Sequence, residues 1–527
     1  MLRLQLTPYS DNVTWQWSGA CYRTLDTRSY VEPYEHPMVE HVAATDGSRT
    51  MLMVRERVAT RPVVDSGVRI LSPAEYNQAH ENAIQWSIDY VLIETAPDRP
   101  VTVHAGMART TPLYLADDGR GLYGSWDMAD LAAHVIGIDA REAARLLIYR
   151  PRYSSDTLFR GIRRLTERAT AHFGDHLWIS YPKPALHARS RELTPNADVL
   201  TAFVHTMDEA MDRRPWAEPT TLFHLTGGLD SGSLATRAAE RYPGIFPTST
   251  LVVGGPGRQQ QLQRRAKMRS ALPFADTDLQ VDAMTTLPLA PACVRSTGLI
   301  SPYEEPIHYP FAKMARAVAD TGAHTVVTGL GGDEMVALAQ EERIGDLDYI
   351  GPPRTVAPWI GQRSRTAIEY LDDAIAPPAM VNSMTLLSLE TTAPTLLREG
   401  LWPLHPFTDP ALVQFGEMLP FDWRDLKQLQ RRRLASLGLS EDVVNPQERE
   451  SFAEVVEEAL NRHGVKVFTR MLDQGSALID EELVDPDGLR AALTDLESGS
   501  YREDRHASLL QVATLHLAVE AFLCRKG

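Results

Sequence analysis

A glycine-rich stretch at residues 223–235, FHLTGGLDSGSLA, carries the residue types best suited to chemistry. Gly227 and Gly228 stand between an apolar run and a helix pattern, and Asp230 and Ser231 follow them. Backbone N–H groups and a helix N-terminus converge in such a turn, so the pattern predicts a site for a phosphate-sized anion. No lysine closes the turn, which therefore differs from a GxxxxGK[ST] phosphate loop. Asp230 would repel a phosphate unless Mg²⁺ lay between them, so the turn also predicts a metal ligand.

A second turn of the same design occurs further along the chain, at HTVVTGLGGDE over residues 324–334. Here too an apolar strand pattern leads into glycines, which are followed by the carboxylates of Asp333 and Glu334. Two strand ends that each carry a glycine turn and an aspartate can hold one triphosphate and its metal from two sides. The pair therefore predicts a nucleotide site more strongly than either turn alone.

The elements that must position these turns are suggested by a change in pattern near residue 195. After that point, short apolar strands alternate with amphipathic helices, which predicts a parallel sheet covered on both faces, with ligands at the carboxyl ends of its strands. The first ~190 residues instead show alternating β-branched and aromatic runs between turn residues, which predicts a β-rich region. The last ~170 residues are mainly helical in pattern. We expect domains at residues 1–195 and 196–527.

Composition narrows the class of protein further. Of 527 residues, 43% are hydrophobic and 23% charged, which is typical of a folded globular protein. The formal net charge of −16 disfavours nucleic acid as the main partner. Basic runs at 264–269 and 431–433 predict solvated helix faces, with binding of a phosphate or an acidic peptide as the alternative. The three cysteines form no CxxC pair, and neither a signal peptide nor a membrane span is indicated, so we expect a cytoplasmic protein.

Taken together, the two turns resemble the pyrophosphate-loop pair of the asparagine synthetase superfamily, in order and in spacing. Residues 303–307, YEEPI, resemble its (D/E)EP segment, and residues 405–410, HPFTDP, resemble its PFLDP segment. Residues 109–114 and the following GLYGSWDMADL resemble part of its N-terminal glutaminase domain. The resemblance implies an α/β and α+β fold. A β-rich sandwich of the glutaminase (Ntn) type would precede a parallel-sheet, pyrophosphate-loop ATP-binding domain with a helical extension.

The resemblance implies an ATP-dependent amide synthetase. In that chemistry a substrate carboxylate attacks the α-phosphate of ATP, pyrophosphate leaves, and an amine then displaces AMP from the acyl-adenylate. Asp230 and Asp333 would bind Mg²⁺, and the backbone of Val252 and Val253 would contact the adenine. The residues implied to bind ATP are Thr226, Gly227, Gly228, Leu229, Asp230, Ser231, Val252, Val253, Gly329, Leu330 and Gly331.

Three further residues are candidates for catalysis under this resemblance. Arg449 in RESF stands where the family has a lysine that stabilises the transition states, although an arginine cannot act as a general acid near neutral pH, and it could be a surface charge instead. Lys427, in RDLKQL, competes for that role. Glu369 lies in a helical segment where ring-forming relatives supply a carboxylate to help deprotonate the amine, and so does Glu390. A solvated helix face is the alternative for both. His224, within the apolar strand, is predicted to pack in the core.

The sequence also departs from the glutamine-dependent members of this superfamily. Those members use an N-terminal cysteine to attack glutamine, whereas the residues here are Met1, Leu2 and Arg3, and Cys21 lies in no glutaminase turn. We therefore expect a catalytically inactive N-terminal domain. Members without the cysteine include β-lactam synthetases and lasso peptide cyclases, in which the amine belongs to the substrate. Leu330 stands where asparagine synthetases have an acidic residue and β-lactam synthetases a tyrosine.

On these grounds we favour a lasso peptide cyclase. Such an enzyme would adenylate an Asp or Glu side chain of a precursor (core) peptide and join it to the peptide's N-terminal amine, alongside a leader-binding protein and a leader peptidase. One alternative is a β-lactam synthetase-like or asparagine synthetase-like ligase acting on a small amino acid. A non-catalytic peptide-binding relative is a third, which the retained carboxylates of the two turns disfavour.

Overall fold

The N-terminal region is built from two seven-stranded sheets. This computed structural model describes residues 1–8, 14–97, 99–291, 300–338, 342, 356–448 and 450–524. In spatial order the strands of the first sheet are Ile162–Arg164, Tyr114–Asp117, Leu122–Ser125, Leu2–Leu6, Tyr30–Pro33, Tyr22–Thr24 and Trp15–Trp17. Those of the second are Leu177–Ser180, Thr170–Phe173, Val101–Ala105, Tyr90–Thr95, Thr50–Glu56, Val39–Thr45 and Val68–Ile70. A short pair, Gly137–Ile138 and Phe159–Arg160, lies outside both sheets.

These two sheets pack face to face. Along the strand Leu2–Leu6 the side chains alternate between buried and half-buried positions, as expected of an antiparallel strand with one face on the core. Leu4 of the first sheet and Val54 and Val103 of the second belong to the same hydrophobic core. The predicted β-rich N-terminal region is therefore observed as a sandwich, while its relation to the Ntn type stays a prediction.

The C-terminal region contains the predicted parallel sheet. Its strands, in spatial order, are Asp278–Asp282, Thr248–Val252, Thr221–His224, Thr325–Val327 and Trp402–Leu404, and every neighbouring pair is parallel. The strands that precede the two glycine turns are direct neighbours, with Leu222 opposite Val326 and Phe223 opposite Val327. Both turns therefore leave the sheet at the same edge, side by side.

Helices cover both faces of this sheet, as alternate side chains of its strands show. Phe223 packs in one core with Leu234 and Met268, whereas its neighbour Leu222 packs in another with Phe311 and Leu396. The helices of the described chain are Pro73–Ile84, Ala140–Leu147, Val199–Asp212, Leu229–Arg241, Gly257–Ala271, His308–Ala319, Gly332–Met335, Gln362–Ala367, Ser383–Arg398, Pro410–Met418, Phe421–Arg424, Gln428–Ser436, Glu441–Val444, Ala453–Ala459, Val465–Gln474, Ala477–Asp480, Pro486–Glu497, Glu503–His506 and Leu509–Cys524.

The last helical stretch of the described chain is long and strongly apolar. By length and composition, Glu503–Cys524 could cross a membrane, and 56% of its most apolar window is buried inside the protein. Its residue Phe522 stacks on Phe159 of the N-terminal region, with ring centroids 4.5 Å apart. That packing is typical of a core helix.

The two regions are joined by buried polar contacts as well as by apolar packing. Glu56, at the end of an N-terminal strand, is fully buried. Its carboxylate accepts hydrogen bonds from Arg214 Nη2 at 2.7 Å and from Trp402 Nε1 at 3.0 Å, in the edge strand of the parallel sheet. The predicted boundary at residue 195 falls within residues 181–198, which contain no helix or strand.

Candidate active site

The two glycine turns are in direct contact. A Cβ added at Gly332 would lie 2.5 Å from Cγ of Asp230, and one added at Gly329 would lie 2.6 Å from the backbone N of Ser231. Real Cβ atoms do not approach so closely, so only glycine lets the second turn press against the first. The convergence predicted from the sequence is therefore achieved by the glycines themselves.

The first turn is held by its own hydroxyl groups. The backbone N–H of Thr226 donates to Ser231 Oγ at 3.1 Å, and that of Gly228 donates to Thr226 Oγ1 at 3.1 Å. The two hydroxyls are 2.9 Å apart. Gly228 is the N-cap of the helix Leu229–Arg241 and has no side chain to satisfy the helix's first amides. Those amides can therefore bind an anion such as a phosphate.

Lys427 links the two turns electrostatically. Its Nζ lies 2.5 Å from Oδ2 of Asp230 and 2.6 Å from Oδ1 of Asp333. Leu426 and Lys427 both adopt left-handed backbone conformations, with φ of 48° and 58°, immediately before the helix Gln428–Ser436. This unusual backbone aims the lysine at the strand ends, and such strain is tolerated where surrounding structure fixes it.

Gln430, one turn into that helix, completes the contact. Its Nε2 donates to Asp230 Oδ1 at 3.3 Å and to the carbonyl of Gly332 at 3.1 Å. Sequence reasoning missed Gln430, because Lys427 precedes the helix in a left-handed conformation and no local pattern places the two side chains together.

Burial and neighbouring charges shift the pKa values of Asp230 and Lys427. Burial raises the pKa of Asp230 to about 6; Asp333 and Glu334 act in the same direction, and Lys427 opposes them. For Lys427, burial acts to lower the pKa, but the two aspartates outweigh it and the pKa is raised. The lysine therefore stays an ammonium that partly compensates the paired carboxylates.

Two carboxylates with one cation between them suit a divalent metal. Within the described residues there is no group of three or more metal-ligating side chains, so the protein offers two oxygens from Asp230 and Asp333. Mg²⁺ commonly uses one or two protein carboxylates together with substrate phosphates and water. The residues present fit such an ion, which Asp230 and Asp333 would hold.

A large cavity opens beside the second turn. Its volume is about 900 Å³, and Gly331 and Glu334 form the part of its wall nearest the strand ends. The wall also includes residues 187–190 and 375–383, Tyr153 of the N-terminal region, Val413 and Glu417 of the helix Pro410–Met418, and Phe407 and Arg424. Leu330 packs into the apolar cluster of Ala379 and Val381. The side chain at this position is thus part of a hydrophobic wall and supplies no proton acceptor.

The predicted adenine contacts are partly occupied by side chains. Val252 ends its strand and Val253 follows it, both buried. However, Gln261 Oε1 accepts from Val253 N at 3.0 Å, and Arg258 Nη1 donates to Val253 O at 3.2 Å. The role of these two valines stays a prediction, and Arg258 would have to yield for Val253 O to contact a base.

The remaining catalytic candidates lie elsewhere. Arg449 lies outside the described residues, while Glu450 beside it approaches Gly227 of the first turn. Glu369, in contrast, is exposed on the turn Ile368–Tyr370, which packs against the helix Ala140–Leu147 of the N-terminal region. It does not line the cavity at the strand ends. Glu369 therefore faces solvent outside that cavity, and its catalytic role stays a prediction.

Glu390 is not at the strand ends either. It is buried, pairs with Arg164 at 2.8 Å, and accepts a hydrogen bond from the Tyr114 hydroxyl. Both partners belong to the N-terminal region, so Glu390 ties the two regions together. His224 is half-buried at the end of its strand, and desolvation lowers its pKa to about 4.

The two segments that resemble family motifs have structural contacts. Glu304, in the YEEPI segment, accepts hydrogen bonds from Arg398 at 2.8 and 2.9 Å. Asp409, in the HPFTDP segment, caps the helix Pro410–Met418 by accepting from Ala411 N at 2.9 Å. Phe407 of the same segment packs under Gly331. The HPFTDP segment therefore supports the second turn and the cavity, whereas the YEEPI segment contacts Arg398.

Fold and site together define an α/β domain with two glycine turns and paired aspartates at the carboxyl edge of a parallel sheet. Residues 202–340 match the family described as asparagine synthase, a range that contains both turns and ends before Lys427. The match supports a relationship between this domain and the asparagine synthetase superfamily. A domain of this family implies an ATP-dependent amide-forming ligase that releases AMP and pyrophosphate. No curated protein matched the chain.

Proposed function

We propose that the protein is a Mg²⁺- and ATP-dependent ligase that closes a macrolactam ring in a peptide, as lasso peptide cyclases do. The observation that carries this proposal is the cavity of about 900 Å³ that opens at Gly331 and Glu334. Pockets for compact ligands span about 300–1,000 Å³, and a single amino acid would need only a small part of this one. The size suits a peptide whose carboxylate reaches the strand ends.

The proposed reaction has two steps. First, a carboxylate oxygen of an Asp or Glu side chain attacks the α-phosphorus of ATP, and the bond to the β-phosphate oxygen breaks to release pyrophosphate. The amides of the first turn and the Lys427 ammonium stabilise the negative charge of this leaving group. Mg²⁺, bound by Asp230 and Asp333, would neutralise charge on the phosphates.

In the second step the peptide's N-terminal amine attacks the acyl carbon, AMP leaves, and the amine loses a proton. The cavity would hold amine and acyl group together, which favours the intramolecular reaction. Among the described residues of the N-terminal region, no cysteine thiol is placed to release ammonia from glutamine. Leu2 and Leu4 are buried aliphatic side chains, and Cys21 is bound by Ser18 and Arg23.

The proposal implies partners and a location. The substrate would be a precursor (core) peptide, freed by a leader peptidase and delivered by a leader-binding protein, in the cytoplasm. These remain proposals that follow from the chemistry.

The test is ATP–pyrophosphate exchange in three parallel assays. These contain synthetic peptides with a free N-terminus and one Asp or Glu, free aspartate, or a carboxyethyl amino acid of the β-lactam-forming type. We expect exchange with peptides only, and a product lighter than the peptide by one water in mass spectrometry. Exchange with a small amino acid alone would support the β-lactam or asparagine alternative. Peptide binding without any exchange would point to a non-catalytic relative.

A further inference from the structure

We propose that the segment joining the two domains forms a wall of the substrate site, and that Arg189 on it binds a carboxylate of the peptide that does not react. This inference rests on the proposed function and adds a class of substrate to it: peptides with a second carboxylate in addition to the one that is activated.

The segment is fixed to the C-terminal region along its length. Ala185 N donates to Pro378 O at 2.8 Å, and Ala188 N donates to Glu417 Oε2 at 2.8 Å. Ser190 Oγ donates to Leu419 O at 3.0 Å, and Arg191 N donates to Met418 O at 2.9 Å. Residues 187–190, which belong to no helix or strand, consequently form part of the cavity wall.

Charge pairing leaves one basic side chain of this cavity without a partner in the described structure. The described basic residues of its wall are His187, Arg189 and Arg424. His187 is 2.5 Å from Glu417, and Arg424 pairs with Glu342. Arg189 has no ion pair or side-chain hydrogen bond with any described residue, and it is exposed. Its guanidinium is thus available to an anion in the cavity.

A side chain of opposite charge lines the same cavity. Glu334 lines the cavity next to the second turn, also without a side-chain partner in the described part of the chain. A peptide can match both charges, with its ammonium near Glu334 at the reacting end and a carboxylate at Arg189. A guanidinium suits that second group because its planar fork can donate two parallel hydrogen bonds to one carboxylate.

The experiment compares Arg189→Ala with Arg191→Ala. Arg191 is exposed on the same segment, is bound through its backbone only, and does not line the cavity, so it is a matched control. The probes are two nonapeptide libraries with a free N-terminus and one glutamate. The first has an amidated C-terminus, and the second adds a carboxylate as a free C-terminus or an aspartate. Retention is measured by equilibrium dialysis with α,β-methylene-ATP and Mg²⁺, followed by mass spectrometry.

We expect the unsubstituted protein and Arg191→Ala to retain the two-carboxylate library about tenfold better than the library with one carboxylate. A tenfold difference is about the size expected for one hydrogen bond to a charged group. Arg189→Ala should lose this preference with unchanged thermal unfolding, and Arg189→Lys should restore part of it. Equal retention of both libraries by the unsubstituted protein, retention of neither, or equal losses in both variants would overturn the inference. A preference that depends on Arg189 without ATP–pyrophosphate exchange would instead contradict the proposed function alone.

Discussion

The Nζ atom of Lys427 lies 2.5 Å from Oδ2 of Asp230, at the contact between the two glycine turns. The lysine comes from a region of the chain beyond the matched family domain. Because it also reaches Asp333, a single ammonium compensates both predicted metal ligands. Asp230 and Asp333 would hold a divalent ion, which would itself compensate the charge of these two carboxylates.

Replacing Lys427 with methionine should make stability depend on Mg²⁺. Without the ammonium, the two carboxylates face each other and the folded state loses about 1–2 kcal/mol, since the group is partly exposed. Thermal unfolding in EDTA should occur at a lower temperature than in the unsubstituted protein, and Mg²⁺ should reverse the difference. Lys466→Met, on an exposed helix surface, is the control. An equal effect of Mg²⁺ on all three proteins would contradict this role.

Asp333→Ala should abolish catalysis without unfolding the protein. The Asp333 side chain is 72% exposed, so its removal should change the free energy of unfolding by less than about 0.5 kcal/mol. Loss of a group that organises the leaving phosphates should lower ATP–pyrophosphate exchange by about 10²–10³-fold. Asp487→Ala, at another exposed aspartate, should retain full exchange. Full exchange in Asp333→Ala would refute the metal site.

Gly332→Ala should separate the two turns. The new Cβ would lie 2.5 Å from Cγ of Asp230, so one of the turns must move. A misplacement of about 1 Å in a catalytic site can reduce activity about 10²-fold, and we expect at least that loss of exchange. Gly67→Ala has room, with its nearest atom at 3.7 Å, and should have no effect. Equal activity of the two variants would mean that the contact is unimportant.

The protein should lose stability in acid because the folded state lowers the pKa of three histidines. Burial lowers the pKa of His36 and His224 to about 4 and that of His405 to about 3. The unfolded chain, with histidine pKa near 6.5, binds more protons between these values, so stability falls as pH drops below about 6.5. At pH 5 each of these histidines should lower the free energy of unfolding by up to about 2 kcal/mol relative to its value at neutral pH.

Denaturant unfolding at pH 5 and pH 7.5 tests this expectation. The difference between the two pH values should shrink in His405→Asn. In His205→Gln, at a histidine whose side chain is 72% exposed, it should stay the same. A difference unchanged by His405→Asn would show that other groups cause the acid sensitivity.

Glu390→Gln should act on stability rather than on proton transfer. The change leaves Arg164 buried without its anion, which should cost about 3–5 kcal/mol. Exchange activity per folded molecule and product formation should fall together or not at all. Glu399→Gln, at a more exposed pair with Arg316, should cost under about 1 kcal/mol. A stable Glu390→Gln variant that adenylates but forms no amide would restore Glu390 as a base.

The features that sequence could predict are those encoded over short distances. A strand followed by glycines, a carboxylate and a helix is a local pattern, so the parallel sheet and the convergence of the two glycine turns could be predicted from its repetition. Lys427 was a candidate by position, but its bridging contact depends on the left-handed backbone at Leu426, which no residue pattern indicates.

The features that sequence could not predict depend on distant partners. Glu390 meets Arg164, 226 residues away in the chain. Glu369 faces solvent, although the turn that carries it packs against a helix of the N-terminal region. A helical pattern alone gives no information on which of these two carboxylates a neighbouring domain will cover.

The position of residues 187–190 has a practical consequence for anyone who wishes to shorten this protein. A fragment limited to the matched residues 202–340 would keep both glycine turns. It would nevertheless lack Lys427, most of the cavity wall and Glu56, whose carboxylate anchors Arg214 and Trp402. Residues 1–195, although expected to be catalytically inactive, therefore supply part of the cavity that we propose as the substrate site, and we expect their deletion to abolish the proposed ligase activity.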